Sequence, residues 1–163
     1  MRGRGGYMRT DSVQCKDEKI NLKIKKICIF AGGLQGSNKK FTELAIELGE
    51  FFSRNGIQMI YGGGSSGIMG SIAKAMLKTG GDVIGILPNF MRTNGHILHD
   101  IQLMYTNSIQ ERKELMFEQA DAFLALPGGI GTLDEIIEVI HWTYLQLHSK
   151  QMFLFDVDNF AFC

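Results

Sequence analysis

Three glycine-rich turns are the residues of this 163-residue chain best suited to chemistry. Each follows an apolar run, ending at Ala31, Tyr61 or Leu126, and each precedes a helical pattern. Glycine lets the backbone approach an anion closely, and the start of a helix directs N–H groups and a positive dipole end toward it. One such turn is weak support for a site. Three turns at the ends of strands in one sheet predict a nucleotide-type ligand.

The second of these turns has the sequence of a phosphate-binding loop. Within residues 62–67, Gly62, Gly64 and Gly67 satisfy the pattern G-x-G-x-x-G. The pattern follows the second strand, and no acidic residue ends the third, so both features argue against NAD binding. The absence of a GxxxxGK[ST] loop disfavours a nucleoside triphosphatase. We predict that this turn holds a phosphate through Gly63, Gly64, Ser65 and Gly67.

The third turn opens the most specific segment of the chain, residues 127–135, which read Pro-Gly-Gly-Ile-Gly-Thr-Leu-Asp-Glu. Thr132 and Glu135 fit a capping box, in which the hydroxyl and the carboxylate satisfy backbone amides at the helix start. Alternatively, the helix end holds the Glu135 carboxylate ionised, within reach of a sugar whose phosphate occupies the loop. The residues alone leave both interpretations open.

A second charged pair, Arg112 and Lys113, lies in the helical pattern that follows the fourth strand. Together with Glu111 and Glu114 it is typical of an exposed helix face with alternating charges. Arg112 lies near the helix start, however, so it could instead face the same crevice as the glycine turns. Both alternatives stay open from the residues alone.

The elements that must position these groups alternate along the chain. Apolar runs predict strands at 27–31, 57–61, 83–87, 101–105, 122–126 and 152–157. Helical patterns between them include one capped by Ser37 or Asn38, one over 109–120 and one over about 132–147. This alternation predicts an α/β fold: a parallel sheet of about six strands with helices on both faces, joined by right-handed crossovers.

The remaining composition bounds the class of protein. Residues 1–24 show no sustained period and predict a flexible tail, which leaves 25–163 as a single domain. Seventeen basic and seventeen acidic residues cancel, which argues against nucleic acid or a membrane surface as partner. Three scattered cysteines and four unpaired histidines predict neither a disulfide framework nor a metal site. With no signal sequence or membrane-length apolar run, we expect a cytoplasmic protein.

Three motifs together resemble the Lonely Guy (LOG) family of cytokinin riboside 5′-monophosphate phosphoribohydrolases, which are often labelled lysine decarboxylases. They are residues 61–70 (YGGGSSGIMG), the pair Arg112-Lys113, and the segment 127–135. The resemblance covers about residues 25–160. It implies a Rossmann-like fold and hydrolysis of the N-glycosidic bond of a cytokinin-type or AMP-like purine nucleoside 5′-monophosphate. The products would be free base and ribose 5-phosphate, formed without a cofactor or metal, in a homodimer with sites near the subunit interface.

The resemblance also assigns roles to residues. Arg112 and Glu135 correspond to the family's catalytic arginine and glutamate, and Lys113 would lie beside the substrate. The phosphate-binding loop would comprise Gly128, Gly129, Gly131 and Thr132. These types suit the reaction, because a carboxylate can stabilise an oxocarbenium-like ribose and a guanidinium can hold a phosphate or the leaving base.

Two departures from the family keep a rival function open. Residues 31–34 read Ala-Gly-Gly-Leu where the family has Cys-Gly-Ser-Ser, and the chain ends where members continue into one or two helices. We therefore expect a domain that lacks its C-terminal helices, with apolar surface left uncovered or covered by a partner subunit. Both departures favour a non-catalytic nucleotide or molybdopterin-type cofactor carrier. Arg112 and Glu135 favour the enzyme.

Overall fold

A computed structural model describes residues 24–33, 39–93 and 96–155 of the chain. Its centre is a sheet in which all paired strands are parallel. The six strands are β1 (Lys26–Phe30), β2 (Gln58–Tyr61), β3 (Val83–Pro88), β4 (Gln102–Thr106), β5 (Ala122–Ala125) and β6 (Gln151–Leu154). The predicted fold class is confirmed, and each strand begins within two residues of its expected start.

Four longer helices connect the strands: α1 (Lys39–Arg54), α2 (Gly67–Lys78), α3 (Ile109–Gln119) and α4 (Ile130–Tyr144). A short 3-10 turn, Asn89–Met91, follows β3. The last helix begins two residues earlier than predicted. The proposed tail at 1–24 lies, apart from residue 24, outside the described residues. So do the candidate caps Ser37 and Asn38 and the last residues of the chain, from 156 onward.

The core lies on both faces of the sheet, as the alternation of side chains along a strand requires. In β1, Ile27 and Ile29 pack into a cluster with buried residues of α1 and α2. Cys28 and Phe30, which point the other way, pack into a second cluster that includes Met116 of α3 and Val139 of α4. Helices α1 and α2 therefore cover one face, and α3 and α4 cover the other.

The strand order, β4-β3-β2-β1-β5-β6, places the site. The chain moves outward from β1 to β4 and then returns to pair β5 with the other side of β1. Open parallel sheets bind ligands at such a reversal, beyond the carboxyl ends of the strands. Strands β2, β1 and β5 are neighbours here, so the three glycine-rich turns that follow them share one edge of the sheet.

Candidate functional site

The three glycine-rich turns contact one another through the turn after β1. The amide of Gly32 donates to the carbonyl of Pro127 at 3.0 Å, and the amide of Ile68 donates to the carbonyl of Gly32 at 3.2 Å. The Ser66 hydroxyl donates to the Gly33 carbonyl at 3.0 Å. The prediction that these turns lie together is confirmed.

Gly67 shows why the second turn needs glycine at its end. Its φ is +67°, and a Cβ there would overlap the carbonyl oxygen of Gly32 and lie 2.5 Å from the carbonyl carbon of Gly33. Both backbone conformation and close approach therefore exclude a side chain. Gly67 holds the two turns against each other, and does not itself line the space between them.

A segment of the irregular stretch 89–100 forms one wall of the site. The amide of Ser65 donates to the carbonyl of His96 at 2.7 Å, and the amide of Leu98 donates to the carbonyl of Gly63 at 3.0 Å. An antiparallel bridge joins Gly64 and Ile97 between these two bonds. Residues 96–98 thus lie against the second glycine turn like a short added strand.

These segments enclose a cleft of about 620 Å³. Seven of the predicted site residues line it: Gly63, Gly64, Arg112, Gly129, Gly131, Thr132 and Glu135. Glycine backbone forms one part of its lining, and apolar side chains form another. The apolar part comprises Met69, Leu87, Pro88, Phe90, Met91, Ile97, Ile109 and Ile130.

Four other predicted residues are not part of this lining. Gly67 and Gly128 contact neighbouring backbone, because a Cβ on Gly128 would overlap the Thr132 hydroxyl and lie 2.9 Å from the Gly32 amide. Ser65 uses its backbone to bind His96, and Ser66 takes its place in the lining. Lys113 faces α4 instead.

Arg112 and Glu135 meet at the cleft across two helices. The Nη1 group of Arg112 donates to Oε1 of Glu135 at 3.0 Å, and its Nε group donates to the carbonyl of Ile86 in β3 at 3.0 Å. The two side chains are only 17% and 14% exposed, so solvent screens this ion pair weakly. Of the two alternatives for Arg112, the exposed helix face is wrong and the crevice is confirmed.

Gly62 leaves room for the guanidinium. A Cβ at this position would lie 2.6 Å from Nη2 of Arg112. The backbone of the second turn therefore lies directly against the group that α3 contributes to the site. Since Gly62 also lines the cleft, the turn and the guanidinium form one continuous surface.

Of the two interpretations of Thr132 and Glu135, the capping box is wrong. Helix α4 begins at Ile130 with Gly129 as its N-cap, so Glu135 lies in the second turn, where its carboxylate accepts from Arg112. Thr132 is buried against Gly128. A side-chain cap forms instead at α3, where the Ser108 hydroxyl accepts from the Glu111 amide at 3.0 Å.

Burial and the Arg112 guanidinium act on the ionisation of Glu135 in opposite directions. Burial raises the pKa of the Glu135 carboxyl, and the Arg112 guanidinium offsets only part of that rise. The interpretation in which the start of the helix holds this carboxylate ionised stays a prediction. Arg112 favours the ionised form most, and Lys113 adds a smaller effect in the same direction.

Lys113 forms a second link between the same helices. Its ammonium lies 2.8 Å from Oε2 of Glu138 and 3.2 Å from Oδ2 of Asp134. Burial lowers the pKa of Lys113, but the hydrogen bonds that its ammonium donates to these two carboxylates and their negative charges outweigh burial and raise it. In the part of the chain that the structure describes, its ammonium therefore pairs with protein carboxylates beside the site.

Comparison with known proteins identifies the family. A family model described as "Possible lysine decarboxylase" matches residues 69–162, more than half of the chain. Cytokinin riboside 5′-monophosphate phosphoribohydrolase from Arabidopsis thaliana is 40% identical over 146 residues, which cover 87% of this chain and 67% of that protein. The chain belongs to the LOG family. The resemblance expected from the three motifs is confirmed.

A second LOG relative, from Oryza sativa subsp. japonica, is named "Probable cytokinin riboside 5′-monophosphate phosphoribohydrolase". It is 37% identical over 141 residues, which cover 85% of this chain and 61% of the relative. The chain thus spans about three fifths of the length of the rice relatives that it matches.

Solved structures show that the LOG chain shares its fold with cofactor-binding proteins. The molybdenum cofactor binding protein of Rippkaea orientalis superposes with a TM-score of 0.67 at 22% identity, covering 84% of this chain and 79% of the other. The molybdenum cofactor carrier protein of Chlamydomonas reinhardtii superposes with a TM-score of 0.64 at 19% identity, covering 80% and 89%. At these identities the likeness concerns the fold alone.

The described residues also bear on two other kinds of feature, a metal site and a membrane-spanning helix. Among them, no cluster of three or more His, Cys, Asp or Glu side chains could hold a metal ion. The helices that the structure describes are all too short or too polar to cross a membrane.

Proposed function

We propose that this LOG chain hydrolyses the N-glycosidic bond of purine nucleoside 5′-monophosphates, releasing free base and ribose 5-phosphate. The observation that carries the proposal is the Arg112–Glu135 pair, which lies in a cleft lined by three glycine-rich turns. The activity in the names of the Arabidopsis and rice relatives agrees with it.

The glycine turns are suited to the 5′-phosphate. Gly129, Gly131 and Thr132 line the cleft at the start of α4, where the first N–H groups of a helix have no intrahelical acceptor. These amides and the positive end of the helix dipole favour a dianionic group. Gly63 and Gly64 extend this surface from the second turn.

Glu135 and Arg112 are suited to the reacting bond. When the bond between C1′ and the base breaks, its electrons leave with the base and positive charge develops on the ribose. The ionised Glu135 carboxylate would stabilise that charge and orient the water whose oxygen bonds to C1′. One water proton then goes to the leaving base, and the other stays on the new C1′ hydroxyl of ribose 5-phosphate. Arg112 would hold Glu135 ionised and face the phosphate or the leaving base.

The apolar part of the cleft suits a base with an apolar substituent. Phe90 and Met91, from the 3-10 turn after β3, line the cleft together with Leu87 and Ile97. Phe90 is 65% exposed, so covering it with a substrate would remove apolar surface from water. This supports a cytokinin-type nucleotide, with an apolar group on the purine amine, over AMP itself.

A second copy of the chain would complete the site. Helix α4 exposes an apolar stripe at helical spacing: Ile130, Ile137, Ile140 and Tyr144 are between 52% and 85% exposed. Ile130 also lines the cleft, so a subunit packed on this stripe would lie at the rim of the site. We propose a homodimer through α4, acting on a small nucleotide in the cytoplasm.

The test is to incubate the full chain with AMP and with N6-isopentenyl-AMP and to measure free base by chromatography. We expect release from both nucleotides, faster from the substituted one, and none from the Glu135→Gln variant. A carrier would instead bind nucleotide tightly without releasing base, and that result would overturn the proposal. Equal release by Glu135→Gln would overturn the assignment of the carboxylate.

A further inference from the structure

We propose that Lys113 is a positioning residue for Glu135, acting through Glu138, rather than a ligand of the substrate phosphate. This inference rests on the proposed hydrolase function. It differs from the role beside the substrate that the family resemblance implies for Lys113. It concerns how α3 and α4 are joined next to the reacting bond.

Two consecutive residues of α3 form ion pairs with α4. Arg112 binds Glu135, and the next residue of α3, Lys113, binds Glu138 and Asp134. The acidic partners flank Glu135 on its own helix, one residue before it and three residues after it. Residues three apart on a helix are neighbours on its surface, so the Lys113 ammonium fixes the part of α4 that presents Glu135.

The Lys113–Glu138 link is the stronger of the two contacts that Lys113 makes. The Lys113 side chain is 14% exposed and that of Glu138 is 20% exposed, whereas that of Asp134 is 60% exposed. Exposed ion pairs contribute little because solvent screens them and side-chain entropy opposes them. Removal of one partner from the shielded pair leaves an uncompensated charge, which is costly.

Lys113 and Glu138 line a different surface from the proposed substrate cleft. Lys113 and Glu138 line a small pocket between α3 and α4, together with Phe117 and Trp142. Glu135 lines both this pocket and the cleft, whereas Lys113 and Glu138 are not part of the cleft lining that the structure describes. Glu135 thus stands between the substrate space and the Lys113–Glu138 pair.

The charges around Glu135 show what loss of Lys113 would do. Arg112 and Lys113 face it from α3, Asp134 and Glu138 flank it on α4, and the buried Cys28 thiol approaches it from β1. Lys113 neutralises the two flanking carboxylates. Without it, Glu135 would lose a nearby positive charge and the flanking carboxylates would be left unpaired, and both changes favour the protonated form of Glu135.

The test compares Lys113→Met, Glu138→Gln and the double variant with the wild type. Lys113→Met should lower kcat about tenfold and move the acidic limb of the kcat profile to higher pH, with KM changed less than about twofold. The double variant, which also removes the unpaired Glu138 charge, should recover part of kcat and move the limb part of the way back toward its original position. Lys113→Arg, which can still bind both carboxylates, should retain activity.

A substrate ligand would behave differently. If KM rises strongly in Lys113→Met and the double variant recovers nothing, Lys113 contacts the nucleotide and the inference is wrong. Wild-type kcat in Lys113→Met would overturn it as well. Thermal unfolding of each variant shows whether lost activity comes from lost folding.

A second readout separates this inference from the proposed function. The Glu135 carboxyl can be titrated by carbon-13 NMR in the wild type, in Lys113→Met and in the double variant, without substrate. We expect its pKa to rise in the single variant and to rise less in the double variant. If the wild type releases no base but this pattern holds, only the hydrolase function fails. An unchanged titration overturns the positioning role.

Discussion

The Arg112 guanidinium donates to the Glu135 carboxylate at 3.0 Å, although 23 residues separate them in the chain. The contact exists because β5, which follows α3, returns to pair with β1 and starts α4 at the same edge of the sheet. Strand order thus brings together two charged groups that sequence places in separate motifs.

The first prediction concerns the space that Gly62 leaves for Arg112. A methyl group on Gly62 would lie 2.6 Å from Nη2, so Gly62→Ala should displace the guanidinium. We expect base release to fall at least about tenfold, because small displacements of catalytic groups are costly. The unfolding temperature should change little, since the displaced group is the end of a flexible side chain. Full activity in Gly62→Ala would show that this position of Arg112 is not required.

The second prediction concerns the pH dependence of the reaction. Burial raises the pKa of Glu135, so its carboxyl takes up a proton at higher pH than an exposed glutamate does. The ionised form stabilises the ribose cation, and kcat should therefore fall as pH drops through this raised pKa.

The measurement is kcat at saturating nucleotide as a function of pH, because this profile reports the pKa values of groups in the enzyme–substrate complex. At saturation, the ionisation of the free nucleotide, whose phosphate has a second pKa of about 6, has less influence on the measured rate. Any residual rate of Glu135→Gln should lack this limb. The prediction would be contradicted if the kcat of the wild type fell only around the ordinary pKa of an exposed glutamate, at about pH 4.3.

The third prediction concerns stability at the contact between two glycine turns. Gly67→Ala places a side chain at φ +67° and against the Gly32 carbonyl, so it should lower the free energy of unfolding by at least about 1–3 kcal/mol. Gly64→Ala in the same turn has open space and should change the free energy of unfolding by less than about 0.5 kcal/mol. Denaturation by urea measures both, and equal stability of the two variants would contradict the contact.

The fourth prediction concerns the exposed stripe on α4. Ile137 is 59% exposed, and Ile137→Asp should shift the chain from dimer to monomer in sedimentation experiments because it places a charge in the proposed interface. Ile46→Asp on α1, at a residue that is 44% exposed, is the matched control and should leave the dimer intact. A wild-type chain that is monomeric at all concentrations would refute the interface.

The fold was largely predictable because its signals are local. A buried parallel strand is a short apolar run, such as 27–31, and a glycine turn marks where it ends. The α/β class follows from the alternation of strands and helices, and the meeting of the three turns at one site follows from their places after strands. The order of the strands depends on tertiary contacts, which local patterns do not contain. The contact between Arg112 and Glu135 depends on that order, so the sequence did not predict it.

The parts of the site that were missed have no local signal. T-x-x-E at Thr132–Glu135 matches a capping box, but S-x-x-E at Ser108–Glu111 is the one that caps its helix. The two motifs differ in the surroundings of their glutamates. The Glu135 carboxylate is shielded from solvent and pairs with the Arg112 guanidinium, so it does not cap its helix. Likewise, Phe90 and His96 line the cleft from an aperiodic stretch, and the backbone bridge from Ile97 to Gly64, which joins part of that stretch to the second turn, has no sign in the sequence.

The most direct test of the account is the amount of product formed by the wild-type chain from N6-isopentenyl-AMP. Free base and ribose 5-phosphate should appear in equal amounts from the wild type, and neither should appear from Glu135→Gln, which keeps the size of the side chain but removes its charge. The corresponding nucleoside, which lacks the phosphate, should react far more slowly. Nucleotide that is bound but not cleaved by the wild type, or cleaved equally by Glu135→Gln, would contradict the account.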